Sequence, residues 1–232
     1  MKILSIIIPV YNEKDTILKL LDEVEKVELP GIVKEFIIID DGSTDGTRVI
    51  LETCQEKYKI IFIDENEGKG AALKLGFKEA RGDLLIIQDA DLEYDPNEYS
   101  EVLKPILEDR ADAVFSSRFI GSKPHRVLYF YHYLGNRTLT FFSNLLSGLN
   151  LSDMESGYKA FNRRAIDLIK NKITAKRFGI EPELVALAAR HKLKIYEVGV
   201  SYHGRGYKEG KKVNWRDGLA AFWHIIKYNL LK

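Results

Sequence analysis

The chain of 232 residues, 45% hydrophobic and 11% aromatic, can fill one compact core and is too short for two ordinary domains plus a linker. Thirty-five Lys and Arg face 34 Asp and Glu, a net charge of +1, which excludes the strongly basic balance of a nucleic-acid coat and any acidic tail. The single cysteine, Cys54, excludes a disulfide framework and a Cys-rich zinc site, and fits a reducing, cytoplasmic compartment.

In the first half, short β-branched runs alternate with helical periods, the pattern of a parallel βαβ sheet. Strands are predicted at Ile3 to Ile8, Glu35 to Ile39, Lys59 to Ile63 and Asp83 to Ile87. Ile17, Leu20, Leu21, Val24 and Val27 recur at helical spacing, so Glu13 to Val27 reads as a helix with one buried stripe. Helices also fit Asp45 to Tyr58 and Gly70 to Arg81. Such an open α/β unit binds its ligand past the carboxyl ends of the strands.

After Asp112 the pattern changes. Ala113 to Ser117 reads as a strand, followed by a basic, aromatic stretch from Arg118 through Tyr133 and a helix near Leu134 to Leu146. Pro182 to His191 reads as a helix with Pro at its start, Leu193 to Val200 as a strand, and Trp215 to Leu231 as a closing amphipathic helix. No Pro/Gly/Ser linker, repeat or low-complexity tract interrupts the chain, so residues 1–232 read as one domain, with 113–232 elaborating 1–112. No segment reaches the roughly 18 to 20 apolar residues that cross a bilayer, and no signal-peptide pattern opens the chain. Leu139 to Leu151 and Leu219 to Leu231 could touch a membrane surface without spanning it.

The motifs sit at the predicted strand ends. Pro9-Val-Tyr-Asn-Glu13 follows the first strand, Asp40-Asp-Gly-Ser-Thr-Asp45 the second and Asp89-Ala-Asp-Leu-Glu93 the fourth. The second motif fits a turn capping the next helix, or a pair of carboxylates awaiting donors such as ribose hydroxyls and base N–H groups. In the third, Asp89 and Asp91 point the same way if the strand continues, with Glu93 one step further. Such hard oxygen ligands suit Mg²⁺ or Mn²⁺ shared with a diphosphate. Glu67-Gly-Lys-Gly-Ala-Ala lacks the P-loop spacing, and Leu73 occupies the last glycine position of a dinucleotide fingerprint.

Together these stretches resemble glycosyltransferase family 2, the GT-A fold enzymes that use nucleotide-diphosphate sugars. The resemblance rests on the three motifs above, with Asp89 extended to Pro96, and on Asn66-Glu-Gly-Lys-Gly-Ala71, Ala80-Arg-Gly-Asp83 and Ser117-Arg-Phe119. Through Asp153-Met-Glu-Ser-Gly-Tyr-Lys-Ala-Phe161 and the late basic segment, it looks most like the dolichyl- or polyprenyl-phosphate mannose and glucose synthases. The resemblance implies a Rossmann-like, mixed but mainly parallel sheet in a single α/β domain. It places Pro9, Tyr11, Glu13, Ile39 and Asp41 at the nucleoside, and Asp89, with Ala90, Asp91 and Glu93 beside it, at the metal and diphosphate. Arg118 would face the phosphates or sugar, and His132, Asn136 and neighbouring Arg137 the acceptor phosphate. The family's late Arg-x-x-Gly-x-Ser-Lys is loosely met by Arg205, Gly210, Lys211 and Lys212, which makes Arg205 and Lys212 donor-site candidates.

The implied reaction is inverting transfer of a hexose to a polyprenyl phosphate, with Asp91 and Arg118 stabilising the leaving diphosphate. A phosphate monoester, with a second pKa of about 6, needs no base, whereas a hydroxyl acceptor would make Asp153 or Glu155 a base candidate. Transfer to a saccharide or protein hydroxyl, or non-catalytic nucleotide-sugar binding, are the competing readings. Charge is unevenly placed: residues 83–112 carry ten acids and two bases, 113–152 four bases and no acid, and 202–232 seven bases and two acids. The basic segments suit phosphates and an anionic membrane surface or membrane-protein partner, at the cytoplasmic face. No RNA-binding module accompanies them, so no nucleic acid is expected.

Overall fold

A computed structural model of the chain describes residues 1–127, 129–205 and 215–231. Seven strands form one sheet in the order β3-β2-β1-β4-β6-β5-β7. They are β1 (Lys2–Val10), β2 (Ile32–Asp41), β3 (Lys59–Ile63), β4 (Leu84–Ile87), β5 (Ala113–Ser117), β6 (Lys159–Asn162) and β7 (Ile195–Gly199). Neighbours pair in parallel except at β6, which runs antiparallel to both β4 and β5. Strands from both halves of the sequence thus complete a single sheet, mixed and mainly parallel as expected.

The first helices are α1 (Ile17–Lys26), α2 (Thr47–Glu52), α3 (Lys69–Glu79) and α4 (Tyr99–Leu107). α5 (Phe130–Ser147), α6 (Arg163–Ile169), α7 (Ile180–Arg190) and α8 (Trp215–Ile226) follow. α1 buries Ile17, Leu20, Leu21 and Val24, a gross hydrophobic gain on the order of 6 to 12 kcal/mol. It starts later than predicted, because Glu13 serves the loop after β1 instead. α2 is shorter than its predicted span, and the closing helix gives way to π geometry over Lys227–Leu231.

Three elements carry no sequence prediction. β6 has only four residues and polar ends, α6 follows it directly, and α4 contains Pro105. All three are held by tertiary packing that outweighs weak local propensity. Tyr99, Val102, Leu103 and Ile106 bury the inner face of α4, and Ala160 and Phe161 of β6 are fully buried.

One core lies on each face of the sheet. Ile7, Phe77, Ile87, Phe115, Phe161 and Leu184 belong to the first, and Ile6, Leu20, Ile38, Tyr99 and Tyr158 to the second. The central strands β1 and β4 are apolar on both faces, as a doubly covered parallel sheet requires.

Candidate active site

The register of β1, β2 and β4 gathers the motifs. Pro9 lies beside Ile39, Val10 beside Asp40, and Ile7 beside Ile87. The three loops therefore leave one edge of the sheet side by side, at the carboxyl ends of parallel strands. Side-chain bonds lace the first two loops: the Asn12 amide donates to Ser43 Oγ (2.9 Å), Glu13 N–H to Thr47 Oγ1 (2.9 Å), and Thr44 N–H to Asn12 Oδ1 (2.8 Å).

The acidic motif after β2 divides its work. Asp45 accepts from the Thr47 amide at 2.9 Å, which is the turn role. Asp40 accepts from Arg48 Nε at 3.0 Å through Oδ2, while its Oδ1 is buried without a partner. Asp41 accepts from the amides of Glu67 (2.9 Å) and Gly68 (2.7 Å); burial nevertheless raises its pKa. The Glu67-Gly-Lys-Gly loop is therefore built onto Asp41. Gly68 has φ +98°, and a Cβ there would stand 2.6 Å from Lys176 O.

The third motif departs from its sequence reading. β4 ends at Ile87, and Leu92 takes a left-handed φ of 60°. The strand alternation that would align Asp89, Asp91 and Glu93 is broken, at the cost of local strain. Both Glu93 carboxylate oxygens are engaged: Oε2 accepts from the Tyr202 hydroxyl (2.9 Å) and Oε1 from the Arg205 amide (2.6 Å). The Arg205 guanidinium pairs with Glu13, at 2.9 Å from NH2 to Oε2, so two donor-site candidates from opposite ends of the chain meet. Asp91 is half-buried; desolvation, then the charges of Asp89 and Glu93, pushes its carboxyl up to about 7. Among the described residues no three His, Cys, Asp or Glu side chains form a metal-holding group. Even so, the crowded, half-buried Asp91 with Asp89 two residues away is an oxygen-donor pair suited to a hard divalent cation.

Asp89 is held on two sides. Its Oδ1 pairs with Lys69 Nζ at 2.7 Å. Its Oδ2 lies against Gly157, where a Cβ would stand 2.3 Å away. Gly157→Ala should therefore displace Asp89 and reduce kcat at least tenfold with the fold retained, checked by steady-state kinetics alongside circular dichroism.

Beyond β5, Arg118 and Asp153 form a bidentate pair, Nε to Oδ2 at 2.7 Å and NH2 to Oδ1 at 2.8 Å. The Arg118 amide adds a third bond to Oδ2. Burial alone would raise the Asp153 pKa, but Arg118 lowers it below the ordinary carboxylate value. Asp153 is thus engaged on both oxygens and sealed from solvent, the geometry of a residue that holds Arg118 in place. The guanidinium also lies over the Tyr202 ring, 5.1 Å from its centroid.

The acceptor candidates share α5. His132, Asn136 and Thr140 follow one another at single-turn spacing. Thr140 Oγ1 donates to Asn136 Oδ1 and accepts from the Met154 amide, each at 3.2 Å. His132 and Asn136 thus lie on the face toward the loop after Asp153, whereas Arg137 is exposed. Lys212, with Lys208 and Lys211, lies outside the described residues.

Three charged residues at the site escaped the sequence reading. Lys69 bridges Asp89 and Glu181 (3.0 Å), and Glu181 in turn pairs with the fully buried Lys159 (2.6 Å). Burial alone would lower the Lys69 pKa; Asp89 and Glu181 instead raise it. Lys69 and Lys159 stood inside quoted motifs without a role. Glu181 and Glu183 open α7, where acids favour the helix dipole, so nothing in their spacing separates a site residue from a helix start.

The profile of Glycosyl transferase family 2 matches residues 5–169. The chain is 28% identical to the UDP-N-acetylglucosamine--dolichyl-phosphate N-acetylglucosaminyltransferase of Methanococcus voltae, over 100% of this chain and 98% of that protein. It is 31% identical to the dolichyl-phosphate beta-glucosyltransferase of Saccharomyces cerevisiae, over 86% of this chain and 66% of that one. Among solved structures, glucosyl-3-phosphoglycerate synthase from Mycobacterium tuberculosis in complex with UDP superposes with a TM-score of 0.74 at 18% identity, covering 98% of this chain and 80% of that one. The same enzyme with Mn²⁺, UDP and glucosyl-3-phosphoglycerate gives 0.71 at 20% identity, with 98% and 80% covered; these likenesses bear on the fold. Strand-end motifs, sheet order and a profile spanning most of the chain agree: this protein is a glycosyltransferase of family 2, with the GT-A fold.

Proposed function

We propose that the protein transfers a hexose or N-acetylhexosamine from a nucleotide-diphosphate sugar to a polyprenyl or dolichyl phosphate, by single displacement with inversion. The carrying observation is the Arg118–Asp153 pair, joined to Glu93 of the β4 loop through Tyr202: a fixed cation at the site, with the nearby carboxylate already committed to holding it. Relatives named for dolichyl-phosphate acceptors support the acceptor class.

On this reading residues 1–112 hold the donor and 113–232 the acceptor. Pro9, Tyr11, Glu13, Ile39 and Asp41 frame the nucleoside, Ala90 backs the diphosphate loop from the core, and Arg205 covers the site through Glu13 and Glu93. Asp89 and Asp91 would hold Mg²⁺ or Mn²⁺, which when bound stabilises charge on the departing nucleoside diphosphate. Glu93, a metal candidate by sequence, serves here to hold Tyr202 and Arg205. Arg118 meets the developing phosphate charge from a preorganised position. His132 and Asn136 receive the lipid phosphate, which is already largely anionic at neutral pH and needs no base, whereas Arg137, an acceptor candidate by sequence, stands exposed on the other face of α5, three residues from Leu134 and four from Phe141. A panel of UDP- and GDP-linked sugars, offered with Mg²⁺ or Mn²⁺ and a short polyprenyl phosphate, tests the donor. Turnover with UDP sugars is expected, and turnover with none of the panel would overturn the proposal.

A peripheral membrane surface belongs to the same proposal. No helix among the described residues is long and apolar enough to span a bilayer. Opposite the His132 face, Phe130, Leu134, Phe141 and Leu145 form an exposed stripe along α5. α8 packs beside it through the Phe142–Phe222 edge contact and exposes Trp223. With Arg126, Arg137 and no acid across residues 113–152, this face suits an anionic bilayer surface. In flotation assays the protein should bind vesicles containing phosphatidylglycerol, and Phe141→Ser with Leu145→Ser should weaken that binding about tenfold or more. Unchanged flotation would place the contact elsewhere.

A further inference from the structure

The loop from Asp153 to Gly157 is fastened at nearly every residue. Asp153 holds Arg118, the Met154 amide donates to Thr140, Ser156 Oγ bonds Ser116 Oγ, and the Gly157 amide donates to the Tyr94 hydroxyl. Lys159 Nζ donates to the carbonyls of Met154 and Ser156 from below. Glu155 is the exception. The residue is partly exposed, yet its Oε1 is buried with no hydrogen-bond partner.

A buried, unpartnered carboxyl oxygen calls for an explanation. The charged groups around it are Glu181 on α7, Lys159 on β6, Arg118 after β5 and Asp153 on its own loop. Both cations are already committed, Lys159 to Glu181 and Arg118 to Asp153. An ionised Glu155 would add a third carboxylate with no counter-ion of its own, and would repel an incoming phosphate. A protonated Glu155 removes that repulsion and offers one O–H donor.

We infer that Glu155 works as a neutral carboxylic acid that donates a hydrogen bond to a phosphate oxygen of the bound substrates. This inference rests on the sugar transfer proposed above. Burial, then the charge of Glu181, holds the carboxyl protonated up to about 7, so the donor is present at neutral pH and lost above it.

Glu155→Gln keeps the shape and a donor while removing the titration. For the wild type, kcat/KM with a short polyprenyl phosphate should rise with the second ionisation of the acceptor near pH 6 and fall up to tenfold per pH unit above about 7. Glu155→Gln should stay within about threefold of wild type at pH 6 and lose the falling limb, while Glu155→Ala should be slower at every pH. A change confined to the KM of the nucleotide sugar assigns the bond to the donor phosphate; a change confined to the KM of the lipid assigns it to the acceptor. Inactivity of Glu155→Gln at pH 6, or an unchanged falling limb, would overturn the inference while leaving sugar transfer intact.

Thermal unfolding supplies an arm independent of turnover. The folded state keeps the proton to about pH 7 and the unfolded chain releases it near 4.5, so the wild type loses stability as pH rises through that window. Glu155→Gln should therefore have the higher Tm at pH 8, and the gain should vanish towards pH 4.5. A pH-independent difference would overturn the neutral acid even if no acceptor were found.

Discussion

Asp91→Asn is expected to lower kcat by about a thousandfold, roughly 4 kcal/mol of transition-state stabilisation, while the protein stays folded. The two halves of this expectation come from the same geometry. Asp91 is half-buried beside Asp89 and Glu93, and its carboxyl is pushed up to about 7 by desolvation and by those two neighbours. Removing its charge relieves crowding in the free protein, so Tm should hold or rise. The same charge would hold the divalent cation, so calorimetry should show UDP binding that no longer strengthens on adding Mn²⁺. A variant that keeps wild-type turnover, or whose nucleotide affinity still responds to Mn²⁺, would remove Asp91 from the metal site. Mutating Glu93 should behave differently, because its contacts are Tyr202 and Arg205. Loss of nucleotide affinity without loss of the metal response is the pattern its position predicts.

Arg118→Met should be the most destabilising single change at the site. It strands the Asp153 carboxylate, whose side chain is fully buried and takes both charged bonds from Arg118. Breaking a buried pair by removing one partner costs about 3 to 5 kcal/mol, whereas replacing both with apolar groups is often neutral. The double variant Arg118→Met with Asp153→Leu should therefore recover most of the lost stability in urea unfolding. It should recover none of the transfer activity, because the fixed cation is still missing. Recovery of activity in the double variant would show that Arg118 serves the fold alone. Asp153→Asn separates two roles: a hydroxyl-transfer base would be lost entirely, while a residue that positions Arg118 should retain part of the rate.

The sheet was legible because its determinants are local and periodic. Ile6 to Ile8 and Leu84 to Ile87 are apolar without interruption, as strands covered on both faces must be, and the motifs begin where those strands end. β6 was not legible. Four residues with Lys159 at one end and Asn162 at the other become a strand only because β4 and β5 supply hydrogen-bond partners on both sides. Within the site, the resemblance placed Asp89, Asp91, Arg118 and Arg205 in one neighbourhood. Spacing could not show that Leu92 would take a left-handed turn and send Glu93 to Tyr202, because strand alternation assumes the strand continues. Lys69, Lys159 and Glu181 were hidden for another reason. Their partners lie 20 or more residues away in sequence: Lys69 meets Asp89 where α3 reaches the loop after β4, and Glu181 meets Lys69 and Lys159 where α7 reaches α3 and β6.

A lipid-phosphate acceptor is tested most directly by following the transferred sugar. With a radiolabelled UDP sugar and Mn²⁺, label should pass into the organic phase when polyprenyl phosphate is supplied, and should not when the same chain is supplied as the free alcohol or replaced by soluble sugars. Efficient labelling of the alcohol or the soluble sugars, with none of the lipid phosphate, would contradict it.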